Sequence, residues 1–258
     1  NCREWIIADI AIMMAGYISV PLYPTLNGKQ INEVIRLGDV EALIVGKIEN
    51  WSEMKRGIQE GIPMITMPHY EGASKIEEGH QWHEFINKFE PLQDVHIPNL
   101  DDTWTIIFTS GTTGTPKGVV LTYRILDSTK IPTEHGNPLK LSMDGKDRFF
   151  SYLPLNHIAE RVVVEMTCMR YGGTISFAES LETFAKNLSE TQPTVFFAVP
   201  RIWTKFQLGI LKKMPQKKLD NLLRIPIVSG LVKGKIKNGL GLSKARACVS
   251  GRRCCRKL

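Results

Sequence analysis

The sequence predicts an α/β protein in which parallel-type sheets are covered by helices. Short runs of β-branched and aliphatic residues alternate with stretches in which apolar residues recur at helical spacing. Runs such as residues 42–45 are apolar throughout, which is typical of strands buried on both faces of a sheet. Of the 258 residues, 43% are hydrophobic and 23% are charged. This composition is that of a folded globule and excludes a disordered, collagenous or coiled-coil chain.

The first 45 residues carry the signals of two helices and two strands. The apolar run over residues 5–20 predicts a buried amphipathic helix that continues into a strand; Asp9 interrupts the run, which is too short to span a bilayer. Asn27 is a predicted N-cap, and Gly38 marks the end of the helix that follows it. Residues 42–45 then form the first buried strand.

The next segment continues the alternation with a helix from Asn50, a strand over residues 62–67 and an amphipathic helix around Trp82. Phe85 and Phe89 follow Trp82 at helical spacing, so all three aromatic side chains are predicted to lie in the core.

Three residues near this helix suggest a metal site. His80 and His83 stand three residues apart beside Glu84, which would place two ligands on one helix face. No other ligand cluster accompanies them, so a solvated amphipathic helix is the better interpretation.

The second half repeats the α/β alternation from residue 104 onwards. Strands are predicted over residues 104–109, 149–153, 173–177 and 194–199, and helices over residues 158–171, 181–188 and 201–211. Glu160 and Arg161 are interpreted as a structural ion pair at a helix start. No internal repeat is visible, so one α/β domain and two packed α/β subdomains both fit the pattern.

Charge and cysteine usage narrow the functional class. Residues 221–258 hold ten Lys or Arg and no acidic residue, whereas residues 1–220 hold 23 basic and 26 acidic residues. Because the basic charge belongs to one terminal stretch, a nucleic-acid partner is not predicted. The five cysteines are irregularly spaced without a C-x-x-C pair, which predicts reduced thiols in a cytoplasmic protein.

The ten residues 109–118 carry the chemistry. They contain three Gly, four Thr, one Ser and a single Lys, and they follow a predicted strand directly. Glycine lets backbone N–H groups approach an anion, the hydroxyl groups add donors, and Lys117 adds a positive charge. Pro116 and Gly118 flank Lys117, so the run is not a Walker A motif. The predicted phosphate-binding residues are Thr109, Ser110, Gly111, Thr112, Thr113, Gly114, Thr115 and Lys117.

These residues resemble the phosphate loop of the adenylate-forming superfamily. Residues 108–118 match its pattern [YF]-T-S-G-[ST]-T-G-x-P-K-G throughout. Residues 19–25, 153–161 and 193–201 are similar to the long-chain fatty acyl-CoA synthetase branch of that superfamily. The fold that the resemblance implies is part of the large N-terminal domain of an adenylate-forming enzyme.

The resemblance implies a reaction in two steps that uses ATP, Mg²⁺ and coenzyme A. A fatty carboxylate attacks the α-phosphorus of ATP and releases pyrophosphate, and coenzyme A then displaces AMP to give the thioester. Lys117 and Thr109 are implied as catalytic residues, and Thr109 is further implied to help place Mg²⁺. His157 corresponds to a position near the acyl and adenylate pocket, and a structural role for it is equally open.

The resemblance also sets expectations for the domain organisation. Residues 1–251 are expected to be a partial AMP-binding domain, and residues 252–258 an aberrant basic tail produced by a frameshift. The family's C-terminal lid is expected to be absent, so these residues should bind ATP weakly and catalyse little. Peripheral contact with a membrane is expected because fatty acids partition into bilayers. Two alternatives stay open: a non-catalytic nucleotide-binding or interaction fragment, and another adenylate-forming carboxylate ligase.

Overall fold

The chain divides into two compact α/β units in the computed structural model, which describes residues 1–110, 116–130 and 136–251. The first unit comprises residues 1–127 with 154–157, and the second comprises residues 128–153 with the described residues after 157. Each unit has its own parallel sheet. The α/β class with parallel sheets is therefore confirmed.

The first unit contains a three-stranded parallel sheet and a separate antiparallel hairpin. Its strands are β1 (Leu43–Val45), β2 (Met64–Thr66), β3 (His80–Gln81), β4 (Thr103–Ser110) and β5 (Pro116–Thr122). Its α-helices are α1 (Arg3–Met14), α2 (Gly28–Leu37), α3 (Trp51–Met54) and α4 (Trp82–Ile86). Short 3₁₀ helices follow at Lys55–Gly57 and at Tyr123–Lys130, the second of which crosses the boundary between the units.

Helix α2 begins and ends where the sequence predicts. The Asn27 side chain accepts a hydrogen bond from the Gln30 N–H, and the Gln30 side chain accepts one from the Asn27 N–H, both at 3.0 Å. This reciprocal capping box satisfies two N–H groups that the helix leaves without partners. Gly38 follows as the C-cap residue. The apolar face of α2 packs in a core cluster with Leu43 and Val45 of β1.

Helix α1 departs from the predicted amphipathic pattern because it buries two acidic side chains, Glu4 and Asp9, along with Ile6. The Ser19 hydroxyl donates to Asp9 Oδ1 at 2.7 Å, and the Thr105 hydroxyl donates to the Ser19 carbonyl at 2.7 Å. The strand predicted after α1 is reduced to an isolated bridge between Ser19 and Thr105. These bonds connect α1 to β4.

Helix α4 is shorter than the aromatic spacing suggests. Trp82 is buried, but Phe89 lies beyond the end of the helix and is 62% exposed, so the prediction of a core position for it is wrong. Phe85 is half-buried and stacks on the His80 ring with a centroid distance of 4.9 Å. His80 belongs to β3 and His83 to α4, and both are exposed. Within the described residues there is no His, Cys, Asp and Glu cluster suited to a metal ion.

The second unit is built on a four-stranded parallel sheet in the order β7-β6-β8-β9. Its strands are β6 (Arg148–Ser151), β7 (Thr174–Phe177), β8 (Val195–Ala198) and β9 (Ala247–Ser250). Its helices are α5 (Ile158–Glu160), a π-helical segment (Arg161–Met166), α6 (Thr167–Tyr171), α7 (Phe184–Thr191), α8 (Pro200–Lys213), α9 (Gln216–Arg224) and α10 (Pro226–Gly239).

The central strand β8 is buried along its whole length, as its uninterrupted apolar run predicts. Phe196 and Ala198 are fully buried and pack in one cluster with Phe150 of β6. Among the described residues, no helix is long and apolar enough to cross a bilayer.

Candidate functional site

The predicted phosphate loop connects the two strands of an antiparallel hairpin. Thr109 of β4 pairs with Lys117 of β5, and Ser110 pairs with Pro116. The predicted phosphate-binding residues Gly111, Thr112, Thr113, Gly114 and Thr115 lie outside the described residues. The register therefore locates both ends of the loop, where the chain enters at Ser110 and leaves at Pro116.

Thr109 and Lys117 present their side chains on the same face of the hairpin, because directly opposed residues of an antiparallel pair do so. Both residues are exposed, and the Thr109 hydroxyl donates to the Lys117 carbonyl over a long 3.5 Å. The Lys117 ammonium forms no ion pair with any carboxylate of the described residues. A hydroxyl group and a positive charge thus stand together at the mouth of the loop.

On the opposite face of the hairpin, Phe108 packs beside the stem of the loop. Its ring is buried between two glycines: a Cβ atom built on Gly118 would lie 3.2 Å from the ring, and one built on Gly38 would lie 3.3 Å from it. The Gly118 position would also place that Cβ 3.0 Å from Ile106. A side chain at position 118 would therefore crowd Phe108 and Ile106 at the stem of the loop.

We expect Gly118→Ala to destabilise the hairpin by about 1–3 kcal/mol, since the added methyl group must displace Phe108 or Ile106 in a packed contact. Urea unfolding followed by tryptophan fluorescence measures the loss. Val119→Ala is the matched control, because Val119 is the next residue of β5 and is 47% exposed. Equal stability of Gly118→Ala and the wild-type protein would show that the Phe108 contact does not constrain the loop stem.

Hydrogen bonds fix the end of the hairpin farthest from the loop. The Tyr123 N–H donates to the Asp102 carbonyl at 3.0 Å, and the Arg124 N–H donates to the Leu100 carbonyl at 2.8 Å. The Arg124 guanidinium also contacts Asp101 at 2.6 Å. Together with the hydrogen bond between Thr105 and Ser19, these contacts fix the start of β4 and the end of β5.

The predicted pocket residue His157 lies at the end of a short turn, where its N–H donates to the Pro154 carbonyl at 2.9 Å. The His157 side chain is exposed, whereas Leu155 and Asn156 are buried. Both polar atoms of the Asn156 amide lack a hydrogen-bond partner among the described residues. The role of His157 in an acyl pocket stays a prediction.

A buried charged cluster follows this turn, and sequence reasoning found only part of it. Arg161 pairs with Glu165, with 3.8 Å between Nε and Oε2, and both side chains are fully buried. Glu160 instead accepts a hydrogen bond from the Tyr152 N–H at 3.1 Å. The interpretation of Glu160 and Arg161 as the ion pair is therefore corrected. The four-residue spacing of Arg161 and Glu165 is the signal that could have identified the pair.

The buried environment of Glu160 raises the pKa of its carboxyl group. Burial raises the pKa of the carboxyl to about 7, and hydrogen bonds from the Ser151 side chain and the Tyr152 and Leu153 backbone offset part of that effect. Oε2 has no hydrogen-bond partner among the described residues. Glu160 thus holds the end of β6, directly before the segment that carries His157.

A family model for AMP-binding enzymes matches residues 1–252. The chain is 27% identical to "Long-chain-fatty-acid--CoA ligase ACSBG2" of Xenopus laevis, over 97% of this chain and 39% of that protein. It is 31% identical to "Long chain acyl-CoA synthetase 6, peroxisomal" of Arabidopsis thaliana, with the same two coverages. The chain therefore spans about two fifths of the length of these curated relatives.

Solved structures show the same fold. The chain aligns over 99% of its length with 45% of a red-emitting luciferase from Phrixothrix hirtus, with a TM-score of 0.66 at 14% identity. It aligns over 98% of its length with 44% of the anthranilate CoA ligase AuaEII in complex with anthranoyl-AMP, with a TM-score of 0.67 at 17% identity. At such identities the likeness is one of fold.

Proposed function

Because the chain belongs to the family of AMP-binding enzymes, we propose that it supplies the phosphate-binding part of an ATP-dependent long-chain fatty acid–CoA ligase. The proposed reaction forms acyl-AMP first and acyl-CoA second. The names of the relatives support the substrate class. The observation that carries the proposal is the shared, exposed face of Thr109 and Lys117 at the mouth of a loop rich in Gly and Thr.

The residue types at this hairpin suit a departing pyrophosphate. A carboxylate becomes an acyl donor only when its oxygen carries a good leaving group, and forming the adenylate releases a highly charged pyrophosphate. Lys117, whose ammonium has no carboxylate partner among the described residues, would stabilise that charge. Loop N–H groups and hydroxyl groups would add neutral donors. The role proposed for Lys117 is thus electrostatic.

The proposed Mg²⁺ position rests on the donor chemistry of Thr109. Its hydroxyl is exposed and makes only a long contact with the Lys117 carbonyl, so its oxygen is accessible to a ligand. A magnesium ion held at Thr109 would also bind oxygens of phosphate and water, as Mg²⁺ commonly does. When bound, the ion would neutralise phosphate charge.

We expect Lys117→Ala to weaken ATP binding about tenfold or more, because a charge-assisted hydrogen bond contributes about 1.5–3 kcal/mol. Calorimetric titration with Mg²⁺-ATP measures the change in Kd. Lys88→Ala is the matched control, because it removes the same charge from an exposed position of the same unit. Titration at low and high salt separates binding at the hairpin from diffuse attraction to the basic C-terminal stretch.

Comparing the two lysine variants distinguishes these two modes of binding. Weaker binding by Lys117→Ala alone, at both salt concentrations, supports the hairpin as the phosphate site. Equal binding by both variants, with loss of affinity at high salt, would assign ATP binding to diffuse charge and favour a non-catalytic interaction role.

The acyl class can be tested by binding. Non-hydrolysable acyl sulfamoyl adenosines mimic the acyl adenylate, and a series with long-chain, medium-chain and aryl groups keeps the nucleotide constant. Under the proposal the long-chain mimic binds most tightly, since it buries the most apolar surface in a fatty-acid pocket. Tighter binding of an aryl mimic would assign the chain to another adenylate-forming carboxylate ligase.

A further inference from the structure

The hairpin of β4 and β5 is a sheet of two strands, and such a pair needs packing from other elements to keep a fixed position. At the end farthest from the loop, hydrogen bonds from the N–H groups of Tyr123 and Arg124 supply part of that support. At the loop end, Phe108 directly precedes Thr109, and it is only 8% exposed. The contacts of the Phe108 ring therefore bear on where Thr109 and its opposed residue Lys117 lie.

The Phe108 ring lies between the end of helix α2 and the backbone of β5. A Cβ atom built on Gly38, the C-cap residue of α2, would lie 3.3 Å from Cε2 of the ring. A Cβ atom built on Gly118 of β5 would lie 3.2 Å from Cε1 and from Cζ. Because Cε1 and Cε2 belong to opposite edges of the ring, the two glycines contact it from opposite sides. The ring fits there because neither position carries a side chain.

The surroundings of Gly38 leave little room for an added methyl group. The same Cβ atom would lie 3.0 Å from the Val34 carbonyl oxygen and 3.4 Å from Cγ1 of Val20. The Val34 carbonyl belongs to the helix backbone and accepts a hydrogen bond from the Gly38 N–H at 2.8 Å. Crowding at position 38 would therefore be relieved at the side chains of Phe108 and Val20. Gly38 has a φ of −90°, which other residues also adopt, so packing and not backbone conformation sets this limit.

Helix α2 is itself fixed at its start and along its apolar face. The capping box between Asn27 and Gln30 closes its first turn. Ile31 and Ile35 are buried in one core cluster with Leu43 of β1. The end of α2 is thus anchored to the parallel sheet of the first unit, and it offers the hairpin a fixed surface.

We propose that Gly38 is a positioning residue for the phosphate site: by leaving room for Phe108 at the end of α2, it sets where the hairpin presents Thr109 and Lys117. This inference rests on the proposed function, which makes Thr109 and Lys117 the phosphate-binding pair. A hydrogen bond to phosphate depends on distance and direction, so a small displacement of the hairpin weakens it. Gly38 lies outside residues 109–118, whose composition indicates phosphate chemistry, and that composition does not identify it.

The Gly38→Ala variant of the 258-residue chain tests the proposal with two measurements. Residual dipolar couplings of the Thr109 and Lys117 amides report the orientation of the hairpin without a ligand. Calorimetric titration with Mg²⁺-tripolyphosphate, which carries the phosphate groups of ATP without the nucleoside, reports phosphate binding. Gly209→Ala is the matched control, because a Cβ atom built on Gly209 of α8 would meet no described atom within 4 Å.

We expect Gly38→Ala to change the couplings of both amides and to weaken tripolyphosphate binding about fivefold, which is a fraction of the hundredfold that a displacement of about 1 Å can cost a reacting group. Gly209→Ala should change neither measurement. Phe108→Leu provides a second background, because its smaller side chain leaves room for the added methyl group. In that background Gly38→Ala should change binding by less than about twofold, since two residues in contact couple. A general loss of stability would act alike in both backgrounds.

Two results would overturn the proposal. The first is a Gly38→Ala variant whose Thr109 and Lys117 couplings equal those of the wild-type chain. The second is an equal effect of Gly38→Ala in both backgrounds, which would show that Phe108 does not transmit it. Lys117→Ala identifies a separate failure of the proposed function. If that variant binds tripolyphosphate as the wild-type chain does, while Gly38→Ala still reorients the hairpin through Phe108, the positioning by Gly38 is confirmed and the phosphate role of Lys117 is wrong.

Discussion

Replacing Arg161 with methionine is expected to destabilise the second unit by about 3–5 kcal/mol, because the change leaves the fully buried Glu165 carboxylate without its guanidinium. Methionine keeps a flexible apolar chain of similar length, so the loss reports mainly on charge. The Arg161 site lies in the π-helical segment that follows α5 and contacts β6. Urea unfolding gives the global effect, and hydrogen exchange of the β6 and β8 amides localises it to this unit.

The double variant Arg161→Met with Glu165→Met separates the missing charge from the missing packing. Removing both buried charges is expected to restore most of the stability, because a well-packed apolar pair often equals or exceeds a buried ion pair. Lys186→Met is the surface control: its pair with Glu190 has the same four-residue spacing and is exposed, so it should change stability by less than about 1 kcal/mol. A double variant as unstable as Arg161→Met would show that lost packing, and not the loss of the guanidinium beside Glu165, causes the effect.

The sequence predicts those helices and strands whose ends or burial are set by residues within the element itself. Helix α2 follows from Asn27 at its start and Gly38 at its end, because both residues act on the nearest backbone groups. Strand β8 follows from an uninterrupted apolar run, which only a doubly covered strand accommodates. Phe89 was misplaced because helical spacing predicts a common face only as far as the helix continues, and α4 ends at Ile86.

Strand β5 had no such signal. It begins at Pro116, contains Gly118 and exposes Val119 and Val120, so neither burial nor alternation marks it as a strand. It is a strand through its pairing with β4, in which Gly118 lies directly opposite Phe108. The sequence thus identified the loop by composition but not the hairpin that presents it.

The candidate site also has a part that the sequence predicts and a part that it does not. The residue types at 109–118 indicate phosphate chemistry, because hydrogen-bond donors, glycines and one lysine suit an anion whatever the tertiary structure around them. The burial of Glu160, Arg161 and Glu165 could not be predicted, since charged residues at helical spacing are ordinarily a solvated face. Tertiary packing around the π-helical segment decides their burial.

Glu160→Gln is expected to remove a loss of stability that the wild-type chain undergoes as pH rises. Burial raises the pKa of this carboxyl to about 7 in the folded chain, from an ordinary value of 4.5. Between those two values the folded chain binds more protons than the unfolded chain, so the free energy of unfolding falls with rising pH. A pKa shift of this size corresponds to a difference of about 3 kcal/mol in the free energy of unfolding. The glutamine stays neutral and can still accept from the Tyr152 N–H.

The variant and the wild-type chain should therefore have similar stability near pH 4, and the variant should be more stable by about 3 kcal/mol near pH 8. Asp144 and Asp147, whose pKa values hydrogen bonds lower, titrate in both proteins and cancel in the difference. Glu190→Gln is the matched control, because the Glu190 side chain is 61% exposed and should give a flat difference. Urea unfolding across this pH range provides the measurement. A flat difference for Glu160→Gln as well would mean that Glu160 is solvated in solution, and the end of β6 before His157 would then be held by other contacts.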